Sequence, residues 1–123
     1  MNLKKIRILI LVILLTIGLT ACISKKVRYQ AGSYEGVGEG HHGPIKVLIT
    51  TDQYEIKEIK IIEEYEMPEL SEIVYDKIPK KVMKVNSAEV DVVAGATYTS
   101  EGLIEAIADG LNKAEVQEKN NQF

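Results

Sequence analysis

Hydrophobic and polar positions divide the chain into a leader and one compact segment. Ile8–Leu19 is a nearly unbroken aliphatic run. After it, apolar residues recur at two different periods. Tyr34–Gly40 alternates weakly and is rich in glycine, which predicts a short strand whose glycines admit a close backbone approach by a ligand. In Ile45–Thr51 the residues Ile45, Val47 and Ile49 share one face of a second strand. His41–Pro44 and Thr51–Gln53 are turn signals. Tyr54–Glu64 alternates again through Ile56, Ile59 and Ile61, with a slip in phase near Glu58. Three strands in succession predict an antiparallel meander.

The period then becomes helical. Pro68 suits a first turn, and Leu70, Ile73, Val74 and Ile78 mark an apolar stripe. Pro79 is expected to end or kink this helix, with Val82, Met83 and Val85 continuing it or forming a second turn before Asn86-Ser87. Val90–Val93 reads as a short apolar strand. A last helix follows, with Thr99 or Ser100 as its N-cap, an apolar face of Leu103, Ile104, Ile107 and Leu111, and an end near Gly110–Ala114. The order β-β-β-α-β-α predicts an α+β domain: a small, mostly antiparallel sheet with helices packed on one face.

The leader alters how much chain that domain can use. Lys4, Lys5 and Arg7 precede an apolar run of 12 residues, and small residues follow it. This is the layout of an export signal, and the run falls short of the roughly 20 residues that span a bilayer. Leu19-Thr-Ala-Cys22 resembles a bacterial lipobox, which implies cleavage before Cys22 and acylation of its thiol. Cys22 is the sole cysteine, so no intrachain disulfide forms. The expected organisation is a lipoprotein signal peptide at 1–21, a lipidated cysteine and tether at 22–32, the domain at 33–114 and a polar tail at 115–123. The expected location is the extracytoplasmic face of the cell membrane. Loss of the leader would leave 12 Lys and Arg against 18 Asp and Glu, a formal charge of −6. That balance argues against a nucleic-acid surface and against a polybasic membrane surface, and leaves membrane attachment to the lipid alone.

Asp91–Ser100 carries the candidate chemistry. Thr97, Thr99 and Ser100 stand in a small-residue turn at a helix N-terminus, where unpaired N–H groups and the helix dipole favour a phosphate. Gly95 and Ala96 leave room for a bulky phosphoester against the backbone. Asp91-x-x-Ala94-Gly95-Ala96-Thr97, preceded by Tyr34-x-Gly-x-Gly and by Gly43-Pro44-Ile45, resembles the FMN-binding domain family over about 80 residues. Ala94 stands where that family often carries Ser or Thr, and Glu66-Met-Pro-Glu69 where many members carry a Thr-Pro-Gly turn.

The resemblance implies covalent FMN, held as a phosphoester on Thr97. It implies a separate flavin transferase that uses FAD, with Asp91 as part of its recognition signal. It implies a flavoprotein that passes electrons between redox partners, quinone-linked or extracellular. Thr99, Ser100, Gly95, Ala96 and Tyr98 would line the cofactor, with Tyr98 beside the acceptor. A non-redox lipoprotein binding module and a small flavin reductase with its own substrate are the alternatives. His41-His42 reads as an exposed turn that could border the flavin, and no metal site is expected. Glu63, Glu64, Glu66, Glu69 and Glu72 read as a solvated acidic face, or else as a docking surface for a basic partner or a weak cation site.

Overall fold

A computed structural model describes residues 2–20 and 26–117. Helix α1 (Leu3–Thr20) is followed by strands β1 (Gly32–Glu39), β2 (Pro44–Thr51) and β3 (Ile56–Glu63), and by helices α2 (Pro68–Val85) and α3 (Thr97–Ala114). Among the described residues α1 packs against no other element, and no helix is long and apolar enough to cross a membrane. Cys22 lies outside the described residues.

The three strands form an antiparallel sheet in the order β1-β2-β3. Alternation places Ile45, Val47 and Ile49 on one face, where all three are fully buried under the helices. The phase slip near Glu58 is a bulge. Thr50 pairs with Glu58 and Thr51 with Ile56, so Lys57 is the extra residue. A second irregularity at Ile62 lies between the Val47–Ile61 and Lys46–Glu63 pairs. The fold is α+β, as the periods predict.

Helix α3 lies closest to the sheet. A Cβ built on Gly36 would fall 1.9 Å from the Ala106 carbonyl oxygen, and one on Gly38 would fall 2.1 Å from that of Gly102. The glycines of β1 therefore admit a helix backbone, not a ligand as the sequence pattern implied. Helix α3 also reaches the free edge of β1. The Val37 N–H donates to Asp109 Oδ2 at 2.9 Å, and Lys113 Nζ donates to the Glu35 carbonyl at 2.7 Å. The Val37 N–H, and secondarily Lys113, hold the Asp109 carboxyl below the usual range.

Helix α2 runs through Pro79 to Val85, so of the expected alternatives the proline does not end it and Val82, Met83 and Val85 continue it; it departs from its expected form in its stripe. Its buried stripe is Ser71, Val74, Ile78 and Val82, while Leu70 and Ile73 remain 44% and 49% exposed. Asn86 then stops the helix in the left-handed region at φ 54°. Its side chain accepts from the Ile56 N–H and donates to the Tyr54 carbonyl, which ties the end of α2 to the start of β3.

Val90–Val93 forms no strand. Its backbone finds no partner edge. The Val93 N–H goes instead to Ser100 Oγ at 3.0 Å, and the Val93 side chain is buried as an anchor. The packed unit begins before residue 33. Tyr29 is 2% exposed, its hydroxyl donates to the Asn86 carbonyl, and it bridges antiparallel to Glu115.

Candidate functional site

The loop before α3 is shaped by one glycine and one serine. Gly95 adopts φ +83°, a conformation that favours glycine, and a Cβ built there would meet nothing within 4 Å. This turn starts α3 earlier than the sequence implies. The N-cap is Ala96, and neither Thr99 nor Ser100 occupies that position. Ser100 is fully buried in the first turn, where its hydroxyl reaches back to the Val93 N–H and braces the loop.

Alanine has no side-chain oxygen, so α3 begins without a side-chain cap, and its first turn carries no acidic residue. An 18-residue helix thus presents its first N–H groups uncapped beside Thr97, which is exposed. Thr99 is 3% exposed and faces inward. Asp91, Ala94 and Gly95 lie on the surface at the approach to the turn, and Ala96 is buried beneath it.

The β1–β2 turn faces this helix end. Gly102 brings α3 against the end of β1: a Cβ there would lie 2.7 Å from both the Glu39 carbonyl oxygen and Gly40 Cα. The close approach sets the His41-His42 turn beside Tyr98. The His41 and Tyr98 rings stack at 5.4 Å between centroids and 24° between planes, and His42 meets His41 edge-on at 4.6 Å. Tyr98 is 68% exposed, so an aromatic surface stands open next to Thr97. Gly43 at φ +150° closes the turn, with Tyr65 packed where its Cβ would be.

The acidic stretch supports the turn from below. Glu66 is 7% exposed, and its Oε1 accepts the His42 N–H at 3.3 Å. Glu64 accepts from the Glu66 N–H and from the Tyr75 hydroxyl. Burial, and then the bond to Glu64, raises the Tyr75 phenol well above its ordinary pKa. Glu63 accepts from the Tyr65 hydroxyl at 2.5 Å and pairs with Lys46 at 3.2 Å; these bonds lower its carboxyl. Three of the five glutamates are thus wired into the fold, and Glu66 is not on a solvated face. The stack of His41 on Tyr98 and the support from Glu66 were not anticipated, since both depend on contacts between segments distant in sequence.

The site suits a phosphate-bearing aromatic cofactor. An exposed hydroxyl, uncapped helix N–H groups, open space over Gly95 and an exposed ring pair lie within a few residues of one another. The FMN-binding domain family matches residues 40–112, which include the β1–β2 turn, the Thr97 loop and most of α3. The chain belongs to that family and is a flavin-binding domain. It is similar to an NADH:acrylate oxidoreductase of Vibrio harveyi, at 23% identity over 88 residues, or 72% of this chain and 9% of that protein. It is also similar to an uncharacterized protein of Treponema pallidum (strain Nichols), at 28% identity over 76 residues, 62% of this chain and 21% of that one. The chain thus spans only a small part of the relatives it matches.

Proposed function

We propose that this protein is a membrane-anchored, extracytoplasmic electron carrier whose FMN is bound covalently through a phosphoester to Thr97. The observation that carries the reading is the exposed Thr97 hydroxyl at the uncapped start of α3, one residue from the His41–Tyr98 stack. A flavin supplies one- and two-electron redox chemistry once bound. The chain's residues attach it, orient it and shield it.

Attachment requires Thr97 Oγ1 to attack the FMN phosphorus of FAD. The bond to the AMP phosphate breaks, AMP leaves, and the hydroxyl proton passes to a base of the transferase. A free hydroxyl is a weak nucleophile, so the step needs that enzyme. Asp91, exposed at the approach to the turn, is available to it for recognition. The first-turn N–H groups would hold the phosphate, Ser100 keeps the loop in shape, and Tyr98 with His41 offers a face for the ring. Because Thr97 stands on an open surface, a covalent bond explains retention better than enclosure does. Outside the cytoplasm a dissociating cofactor would be diluted away. The proposed partners are the transferase and redox proteins on the same side of the membrane.

Co-expression with a flavin transferase tests the reading. Wild-type protein is expected to gain one FMN, mapped to Thr97 by peptide mass spectrometry. Thr97→Ala should gain none, because a methyl group cannot replace the attacking oxygen. Absence of adduct on the wild type, with an active transferase present, would remove the carrier reading in favour of a non-redox binding module. Cys22→Ser should separately release the protein from the membrane fraction or block its processing.

A further inference from the structure

The flavin site occupies one pole of the domain, and the other pole has a different character. Helix α3 starts at Thr97 and its last turn reaches residues 28–30, since the Gln30 N–H donates to the Ala114 carbonyl. Its 18 residues separate the two poles by about 27 Å. Helix α2 runs in the same direction, from beside Glu66 to Asn86, and its charges are segregated. Glu69, Glu72 and Asp76 lie in its first half, and Lys77, Lys80, Lys81 and Lys84 in its second.

The far pole is where the chain enters from its amino-terminal side. The Arg28 and Tyr29 N–H groups bond to the Gln53 carbonyl, and the Val116 N–H bonds to that of Arg28. An open groove of about 890 Å³ lies here, its wall including Arg28, Lys84, Met83 and Val116. Val27, Met83, Val85 and Val116 are each at least 40% exposed. Asp52 and Glu55 at this pole share the single charge of Lys57, and with Glu115 they make three acids against four bases, Lys26, Arg28, Lys57 and Lys84, so the pole keeps a small positive excess. The flavin pole carries Glu39, Glu64, Glu69, Glu72 and Glu101 on its surface.

We propose that the Arg28–Lys84–Val116 pole seats on an anionic lipid surface and turns Thr97 away from the bilayer. Three observations favour this occupant. Only three residues separate Cys22 from Lys26, so an anchor at Cys22 holds this pole within about 14 Å. Basic side chains among exposed aliphatic ones match phosphate headgroups above acyl chains. The acidic flavin pole is repelled by the same surface. The inference rests on the anchored reading above and not on the flavin. It assigns electron partners to the water side of the membrane, because the whole domain then stands between Thr97 and the hydrocarbon core.

The test uses the full chain reconstituted in vesicles with 30% phosphatidylglycerol, or with phosphatidylcholine alone. Val116→Cys and Glu101→Cys each receive a fluorescent thiol label, and an aqueous quencher reads exposure. On anionic vesicles the label at 116 should be quenched at least threefold less than the label at 101, and on neutral vesicles the difference should shrink. Adding Lys26→Glu and Lys84→Glu should abolish the difference while the protein stays vesicle-bound. Equal quenching of both labels on anionic vesicles would overturn the orientation. A wild-type chain that takes label at Cys22 and fails to sediment with vesicles would overturn the anchoring beneath it.

Discussion

Helices α2 and α3 have equal length, are both amphipathic and cover the same sheet, yet they are held in different ways. Helix α3 meets the sheet backbone to backbone, through Gly36, Gly38 and Gly102, and buries nine residues. Helix α2 meets it through side chains and buries four. A contact between backbones has no rotamers with which to adjust, whereas a layer of side chains can relax. The helix that carries the site is therefore the one whose position is fixed. The helix with slack is the one that accommodates an internal proline.

The sharpest way to break this contrast is Gly36→Ala. The added methyl would press on the Ala106 carbonyl, which cannot move without shifting α3. A loss of about 3 kcal/mol or more is expected in urea titration. A loss below about 1 kcal/mol would show that α3 also has slack. Next in size are Ile107→Ala in α3 and Ile78→Ala in α2. Both side chains are fully buried, so each should cost about 2–5 kcal/mol. Similar costs would locate the difference between the helices in the glycine contacts alone.

Gly110→Ala sharpens the point further. Its Cβ would meet Ile49 Cδ1 at 2.7 Å, the end of a flexible side chain, and alanine gains about 1 kcal/mol of helix propensity. A net change within about 1 kcal/mol is expected, and a cost equal to that of Gly36→Ala would erase the distinction. The smallest effect belongs to Asp109→Asn. The wild-type carboxyl is held low in the folded state, so its contribution is present above the unfolded pKa of about 3.9 and is lost as pH falls through the folded value. Urea midpoints of wild type and variant should differ most near neutral pH and converge in acid. A difference that grows below pH 4 would reverse the assigned sign.

The sheet was legible because alternation is local. Ile45, Val47 and Ile49 point inward as their spacing requires, and the slip near Glu58 is the bulge at Lys57. The stripe on α2 was half legible: Val74 and Ile78 face inward as their spacing predicts, whereas Leu70 and Ile73 face outward because the inner face there is taken by the polar Ser71. Val90–Val93 has the composition of a strand but lacks a neighbouring edge, and composition carries no information about edges. The turn at Gly95–Thr97 was visible as a small-residue motif. Its cap position was not, because the turn at Gly95 starts α3 at Thr97 and leaves Ser100 inside the first turn, where it braces Val93 and caps nothing. The His41–Tyr98 stack joins segments more than fifty residues apart, and only the fold brings them together.

The bonds from Asp109 and Lys113 to β1 have a consequence for crowding. A three-stranded sheet has two open margins, each able to template another copy of the chain. On β1 the outward N–H of Val37 and the outward carbonyl of Glu35 are already taken by α3. On β3 the margin is interrupted by two bulges and lined with Lys57, Glu58 and Lys60. Protection of both margins opposes strand exchange between neighbours. Molecules of this chain packed at high density would remain separate units and would not grow into a shared sheet.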